Sequence, residues 1–293
     1  MRRLWFYILF AVVAVALLAV AVWVVRPQLY ERLGRMAAGQ PAQSSLHVDV
    51  PRKQFPVKGI DISHHNGEID FARVVADSVD FVYIKATEGV NHTDKRLRHN
   101  YEGAVSQGLM VGFYHFFRFD RGGVRQARHF LAAIDSMSTI MPLVIDFETA
   151  SNATDVSYYR IVGRLRDMSE YLLRRGHRVM IYCNLGEYNR YIRGNFDHLD
   201  LWLASGRLPD DEDRRHLWQH SHNGRVAGIP TPVDINTFNG SRNDFLRWIT
   251  EPSPRPVVSE AKPDSLRSTI VDTPALPDTL PTASAQATPP ATL

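Results

Sequence analysis

The sequence predicts an α/β fold in which eight strands form an incomplete β/α barrel, preceded by one transmembrane helix. Eight short apolar runs recur along the middle of the chain. Helix-like segments separate the early runs, whereas only short segments rich in Gly, Pro and Asp separate the last three. Strands that alternate with helices favour a parallel sheet, and eight of them favour a closed barrel. We therefore expect a barrel whose last helices are missing or short.

An uncharged apolar segment, residues 4–25, precedes this region, and Arg2 and Arg3 precede the segment. At about 1.5 Å per residue it would form a helix of roughly 33 Å, enough to cross the hydrocarbon core of a membrane. It is longer than the apolar part of most signal peptides, and no clear cleavage site follows it. We predict a signal anchor at residues 1–26 in the cytoplasmic membrane, with the rest of the chain on the outer side. A cleaved signal peptide is the alternative.

The remaining chain divides into three parts. Residues 27–56 contain Gly, Pro and Ser and predict a linker. Residues 251–293 hold nine of the 17 prolines, with many Ser, Thr and Ala, and predict a disordered tail. Between them, residues 57–250 form the predicted barrel domain. Its length of about 195 residues is below the roughly 250 of a full TIM barrel, so we expect a TIM-like but incomplete architecture.

The predicted elements follow in order along this domain. The strands share apolar, often β-branched sequences, and they are residues 59–63, 81–86, 109–116, 143–148, 179–184, 199–204, 217–220 and 233–236. The predicted helices are residues 69–76, 95–107, 123–136 and 157–175. In the last helix, Ile161, Leu165, Met168 and Leu172 recur at helical spacing, which predicts one buried face.

Polar and aromatic side chains occur near the ends of the predicted strands, where the site of a β/α barrel lies. They are Asp61, Tyr83, Lys85, Glu88, Tyr114, Asp146, Glu148, Tyr182, Trp202, Gln219 and Asp234. Closing the barrel brings the first strand beside the last, so we expect Asp61 and Asp234 to be neighbours. Acids rimmed by Tyr and Trp rings are typical of a carbohydrate site, although Trp202 is equally compatible with a core position.

Asp146 and Glu148 carry the chemistry of this prediction. Side chains two apart on a strand point to the same face, so the two carboxyl groups lie side by side. Their like charges raise one pKa, which provides a proton donor and an anion at the same pH, as glycoside hydrolysis requires. The alternatives are two solvated acids at a strand end, or a pair of ligands for Mg²⁺ or Ca²⁺.

Other ligands are not expected from the sequence. His64 and His65, with His115, His220 or His222, lack a short zinc-binding spacing, so we predict no metal and no cofactor. The single cysteine, Cys183, excludes an internal disulfide. The net charge is only +3, and no block of Lys and Arg is interleaved with aromatic residues, so nucleic acid is not an expected partner.

Several motifs in the domain resemble those of the family 25 glycoside hydrolases, the lysozymes of the Chalaropsis and phage-endolysin type. The motifs are GIDISHHNG at 59–67, FVYIKATEG at 81–89, GFYH at 112–115, DFE at 146–148, WQ at 218–219 and VD at 233–234. They occur in the family's order across residues 57–248. In two departures, His65 and Asn66 stand where a glutamine is common, and Phe71 stands where a tryptophan is frequent.

The resemblance implies an incomplete β/α barrel that cleaves the β-1,4 bond between N-acetylmuramic acid and N-acetylglucosamine in peptidoglycan glycan strands. It assigns Glu148 as the general acid and Asp146 as its partner, with Asp61 and Asp234 as further active-site acids. Asp146 either stabilises the sugar cation or orients the substrate's 2-acetamido group, and the stereochemical outcome stays open. The other strand-end residues are expected to bind substrate: Tyr83, Lys85, Glu88, Tyr114, Tyr182, Trp202 and Gln219.

We expect a monomeric barrel that works close to the membrane. Three alternatives remain: a non-catalytic wall-binding module on the same fold, another barrel glycosidase of the chitinase-like kind, and an envelope anchoring protein.

Overall fold

Nine strands form one sheet in the computed structural model, which describes residues 46–209 and 215–252. They are β1 (Lys58–Ile62), β2 (Phe81–Glu88), β3 (His92–Thr93), β4 (Met110–Phe116), β5 (Leu143–Asp146), β6 (Val179–Asn184), β7 (Asp200–Ala204), β8 (Leu217–Gly224) and β9 (Val233–Phe238). Eight of them close into a barrel because β1 pairs with both β2 and β9, while β3 pairs only with the end of β2. The predicted eight-stranded barrel is confirmed.

Helices cover only part of this barrel. They are α1 (Phe71–Ala76), α2 (Leu97–Ser106), α3 (Gly123–Ile134), α4 (Tyr158–Arg174), α5 (Leu185–Glu187) and α6 (Arg242–Thr250), with a 3₁₀ turn at His64–Asn66 and a π-helical turn at Tyr188–Ile192. Only α5 and the π-helical turn follow β6 before β7 begins. Among the described residues no helix joins β7 to β8 or β8 to β9, which confirms that the last helices are short or missing.

The helix α4 shows how the sequence produces this packing. Ile161, Leu165, Met168 and Leu172 are all buried, so the predicted apolar face is the one that lies against the sheet. Burying each such side chain contributes roughly 1.5–3 kcal/mol, which is more than the intrinsic helix propensity of any of these residues. The helix ends at Arg174, and Gly176 follows with φ of +85°, a left-handed conformation that favours glycine.

The last strand, β9, runs antiparallel to both of its neighbours, β8 and β1. The sequence placed Asp234 at the carboxyl end of a parallel strand, and that placement is wrong. Residues 225–232 are too few for a parallel crossover, which needs a dozen or more, so the chain returns as a hairpin. Asp234 therefore lies near the start of β9, where the reversed direction brings it to the mouth at which β1 ends.

The interior of the barrel is filled by large side chains that depend on two glycines. Phe81 and Tyr83 are fully buried inside the barrel. A Cβ atom at Gly59 would lie 2.1 Å from the Phe81 ring, and one at Gly112 would lie 2.2 Å from the Tyr83 ring. Because these two glycines have no side chain, the rings of Phe81 and Tyr83 can pack directly against their backbone.

The segment before the barrel also packs against it. Residues 46–56 fall in the range that the sequence assigned to a linker, yet His47 forms a β-bridge with Ser221 and Phe55 is only 3% exposed. The amide of Val48 donates to the carbonyl of His220 at 2.9 Å, and the amide of His222 donates to the carbonyl of Leu46 at 3.0 Å. Chain from Leu46 onwards is thus attached to β8.

The predicted membrane segment, residues 4–25, and the predicted tail, residues 251–293 apart from its first two residues, lie outside the described residues. Within the part of the chain that is described, no helix has the length and apolar character needed to cross a membrane.

Replacing Gly112 with alanine should destabilise the barrel by about 1–3 kcal/mol, because the new methyl group overlaps the Tyr83 ring. Chemical denaturation measures this difference. Gly163 in α4 is the matched control, since a Cβ atom there meets nothing within 4 Å and alanine favours a helix by about 0.5–1 kcal/mol. Equal stability changes at the two glycines would contradict the packing described.

Candidate active site

One small cavity opens at the mouth of the barrel, and it collects the four acids that the sequence singled out. Its volume is about 130 Å³, and its lining residues are Asp61, Tyr114, Val144, Asp146, Glu148, Tyr182, Trp202 and Asp234. A larger groove of about 550 Å³ lies elsewhere, between α3 and α4, and has no acid pair. The chemistry of the acids, and not the size of the space, therefore identifies the candidate site.

The end of β5 directs two carboxyl groups into this cavity. Asp146 is the last residue of β5 and Glu148 follows two positions later, so both face the barrel interior. Phe147, between them, points the other way and packs against the rings of Phe119 and Tyr191, with centroid distances of 4.8 and 5.2 Å. This aromatic packing fixes which way the segment faces.

Asp61 lies opposite Asp234 in the β1–β9 register, as expected from closure of the barrel. The Asp61 carboxylate accepts hydrogen bonds from Asn236 Nδ2 at 2.8 Å and from Gln219 Nε2 at 3.1 Å. Burial raises the pKa of Asp61 well above its usual value, and the neighbouring charge of Asp234 raises it further. Burial is the largest cause, so Asp61 retains a proton more readily than a solvated carboxyl group would.

Two aromatic residues hold the amides that surround Asp61. The Tyr182 hydroxyl donates to Gln219 Oε1 at 2.6 Å, and the Trp202 indole N–H donates to Asn236 Oδ1 at 3.0 Å. Each amide therefore has its oxygen occupied and turns its N–H₂ group towards Asp61. Trp202 is 2% exposed, so it both fills the core and orders the site.

Burial also changes the protonation of the Asp146–Glu148 pair. It raises the pKa of Glu148 to about 7, and the charges of Glu187 and Asp234 contribute to the rise, whereas the charge of His222 opposes it. Burial raises the pKa of Asp146 as well, with the Glu148 charge next in importance. Both shifts favour the protonated carboxyl group, so this pair binds a proton more readily than two solvated carboxylates would. Glu148 is the more exposed member and is better placed to pass a proton to a ligand.

One oxygen of Asp146 is buried without a hydrogen-bond partner in the described part of the chain. The residue is 8% exposed, and its Oδ1 has no hydrogen-bond donor among the described residues. Lys85, at the rim, lowers the pKa of Asp146 through its positive charge. A buried carboxylate oxygen without a donor is unfavourable when it is charged, which agrees with the raised pKa of Asp146.

Lys85 and Glu88 lie beside the cavity and do not line it. Lys85 Nζ is 2.9 Å from Glu88 Oε2, and Arg118 Nη1 is 3.6 Å from Glu88 Oε1. The ammonium group of Lys85 also lies over the Phe116 ring, 5.1 Å from its centroid. These residues form a charged rim along the ends of β2 and β4.

Tyr83, predicted to bind substrate, is a core residue, and the prediction is wrong. Its side chain is fully buried, contacts the Trp202 ring at a centroid distance of 5.0 Å, and donates its hydroxyl proton to the Pro142 carbonyl at 3.2 Å. Pro142 precedes β5, so this hydroxyl points towards the closed end of the barrel. The alternation along the strand correctly predicts that Tyr83 faces the barrel interior, but it does not show how far the side chain lies from the mouth.

Histidines near the mouth make contacts of their own. His64 Nδ1 lies 2.7 Å from Asp94 Oδ2, and His115 contacts Thr87 and Gln126 on the helix-facing side of β4. In the described ranges, no group of three or more His, Cys, Asp or Glu side chains could hold a metal ion.

The sequence did not assign a role to three residues of this site: Asn236, Glu187 and His222. From the sequence alone, Asn236 lies on a predicted strand with no assigned contact, and His222 is only a candidate metal ligand. Glu187 lies in the short turn α5, where Asn184 and Glu187 form a capping box. The spacing Asn-x-x-Glu after an apolar strand was the signal that could have found it.

Comparison with known proteins fits this geometry. The family model for glycosyl hydrolases family 25 matches residues 60–229. The chain belongs to this family. It is 33% identical to the autolytic lysozyme of Clostridium acetobutylicum over 62% of this chain and 56% of that protein, so the alignment spans little more than half of that relative. It is 32% identical to lysozyme M1 of Streptomyces globisporus over 67% of this chain and 72% of the relative.

A solved structure of a family 25 glycosyl hydrolase from Bacillus anthracis shares the fold. Its TM-score with this chain is 0.61 at 28% sequence identity, and the match covers 70% of this chain and 97% of that one. The family 25 assignment and the shared barrel together identify the chain as a glycosidase.

The raised pKa of Glu148 predicts that Glu148→Gln stabilises this family 25 protein at alkaline pH. A folded-state pKa of about 7 means that ionised Glu148 opposes folding, and this penalty grows as pH rises from about 4.5 to 7. We expect a gain of about 3 kcal/mol at pH 8 and almost none at pH 4. Denaturation curves at both pH values measure it, and equal gains at the two would contradict the assignment.

Proposed function

We propose that this family 25 glycosidase is an N-acetylmuramidase, which hydrolyses the β-1,4 bond between N-acetylmuramic acid and N-acetylglucosamine in peptidoglycan. The observation that carries the proposal is the buried pair at the end of β5: Glu148, with a pKa of about 7, beside Asp146. Relatives named lysozyme in Clostridium and Streptomyces support the choice of substrate.

Glu148 acts as the general acid. It transfers its proton to the oxygen that leaves the muramic acid C1 atom, so that the C1–O bond breaks without forming a free alkoxide. Positive charge then develops at C1 and on the ring oxygen. Water later attacks C1 and returns a proton to the Glu148 carboxylate, which restores the enzyme.

Asp146 assists through the substrate's 2-acetamido group. The acetamido carbonyl oxygen attacks C1 while Asp146 accepts a hydrogen bond from the acetamido N–H, which makes that oxygen more nucleophilic. Asp146 lines the same cavity as Glu148, which supports a role next to the reacting sugar. The route retains configuration at C1, since two displacements occur there.

The remaining acids and rings shape the site around this reaction. Asp61 and Asp234 supply negative potential near the developing cation, while Asn236 and Gln219 keep Asp61 in place. The cavity of 130 Å³ is smaller than the roughly 300 Å³ of an ordinary ligand pocket, so only the reacting part of one sugar enters it. The rest of the glycan lies across the rim that contains Lys85 and Glu88.

The location of the substrate is consistent with a membrane-anchored enzyme, which we propose as part of this function. Residues 4–25 would hold the chain in the cytoplasmic membrane with the catalytic domain outside, where peptidoglycan lies. Protease protection in intact spheroplasts tests this topology. Protection of the catalytic domain from added protease would overturn it.

The proposed reaction predicts a specific product and a specific loss. The wild-type chain should release muropeptides with N-acetylmuramic acid at the reducing end from purified peptidoglycan, as read by mass spectrometry. Glu148→Gln should lower kcat by about 10²–10⁴-fold, because the proton donor is lost. Glu170→Gln, which neutralises an exposed acid on α4, is the matched control and should retain activity. Reducing-end N-acetylglucosamine would contradict the proposed bond.

The pH dependence follows from the same group. Glu148 must be protonated to act, so kcat/KM should fall as pH rises through its pKa of about 7. Initial rates between pH 4 and 9 measure the position of this basic limb. A rate that is constant from pH 6 to 9 would exclude Glu148 as the donor.

A further inference from the structure

Glu187 is a buried carboxylate beside the proposed proton donor, and it is only 4% exposed. It lies in α5, the short turn that follows β6, whereas Glu148 follows β5. The Glu187 Oε1 atom accepts hydrogen bonds from the Thr149 amide at 2.5 Å and from the Thr149 hydroxyl at 2.8 Å. The residue that it holds is therefore the immediate neighbour of Glu148.

The other oxygen of Glu187 is fixed to the next strand. Its Oε2 accepts the amide proton of Asn184 at 3.0 Å, and the Glu187 amide donates to Asn184 Oδ1 at 3.0 Å. Burial raises the pKa of Glu187, and the three hydrogen bonds from Thr149 and Asn184 oppose this rise because they favour the ionised form. The carboxylate joins the ends of β5 and β6 at the mouth of the barrel.

We propose that Glu187 is a positioning residue for catalysis, which fixes the backbone directly after Glu148 and places a negative charge beside its carboxyl group. The inference rests on the proposed function, in which Glu148 is the general acid. A carboxylate that only completed the capping box of α5 would need just the Asn184 amide, so the two hydrogen bonds from Thr149 go beyond that role.

Several charged and titratable groups face Glu148 from the elements around it. They are Asp146 on β5, Tyr182 on β6, Glu187 on α5, His222 on β8 and Asp234 on β9. His222 Nδ1 is 3.4 Å from Asp234 Oδ1, and this contact raises the pKa of His222. Protonated His222 favours ionised Glu148, whereas Glu187 and Asp234 favour the protonated form.

The backbone next to Glu148 is held from a second side as well. Asn152 Nδ2 donates to the Glu148 carbonyl at 2.9 Å and to the Phe117 carbonyl at 2.8 Å. Asn152 is neutral, whereas Glu187 is ionisable. Of these two residues, only Glu187 should therefore affect both the position and the protonation of Glu148.

Glu187→Gln in the full-length chain tests the proposal. We expect the basic limb of kcat/KM to move to lower pH by about half a unit or more, because a nearby negative charge that favours protonated Glu148 is gone. Glu170→Gln, an exposed acid paired with Arg174, is the charge-matched control and should leave the limb in place. An unmoved limb in Glu187→Gln, or an equal shift in both variants, would overturn the proposal.

A second variant separates the two parts of the role and applies even if Glu187→Gln does not fold. Thr149→Val removes one hydrogen bond to Glu187 but keeps the charge. It should lower kcat several-fold while KM and the basic limb stay unchanged. Wild-type kcat in Thr149→Val would overturn the positioning role.

A titration distinguishes failure of this inference from failure of the proposed function. The Glu148 carboxyl can be followed by NMR in wild type and Glu187→Gln chains labelled with ¹³C at glutamate carboxyl carbons, without any substrate. A lower Glu148 pKa in the variant supports the inference even if peptidoglycan is not cleaved. An unchanged Glu148 pKa alongside normal wild-type turnover refutes the inference alone.

Discussion

Burial of several carboxyl groups in one small cavity is the constraint on which the rest of this structure depends. Carboxylates that leave water lose hydration, and they are stable only when protonated or when donors surround them. Asp61 receives donors from Asn236 and Gln219, and Glu187 receives donors from Thr149 and Asn184. Burial raises the pKa of both acids and of the Asp146–Glu148 pair, and these donors oppose the rise at Asp61 and Glu187. The donors also hold the Asp61 and Glu187 side chains in place, whereas the Asp146–Glu148 pair has fewer of them.

The direction of β9 makes this arrangement possible. A parallel last strand would need a crossover, and it would place its first residues at the closed end of the barrel. Because β9 returns as a hairpin, Asp234 near its start lies opposite Asp61 at the mouth. The same reversal lets Asn236 reach Asp61 and the Trp202 indole. The missing crossover helix before β9 therefore affects the site as well as the length of the chain, because the hairpin that replaces it brings Asp234 to the mouth.

Opposing charges around Glu148 suit it to its proposed task. Glu187 and Asp234 favour the protonated carboxyl group, while His222 favours the ionised one. A donor works best with a pKa near the working pH, because it must lose its proton to the leaving group and regain it from water. His222 is also joined through its amide to Leu46, so the chain that leads towards the N-terminus is attached beside the site.

The sequence by itself determined the barrel, its missing last helices and the acids that line its mouth. Those features depend on local periodicity and on the alternation of side chains along a strand, and both can be read directly from the order of the residues. The depth of Tyr83, the direction of β9 and the link from Glu187 to Thr149 were decided only in three dimensions. Tyr83 and Lys85 share a strand face, but the position of each along the barrel axis decides which one reaches the mouth. Glu187 and Thr149 are 38 positions apart, and their contact exists only because β5 and β6 are neighbours.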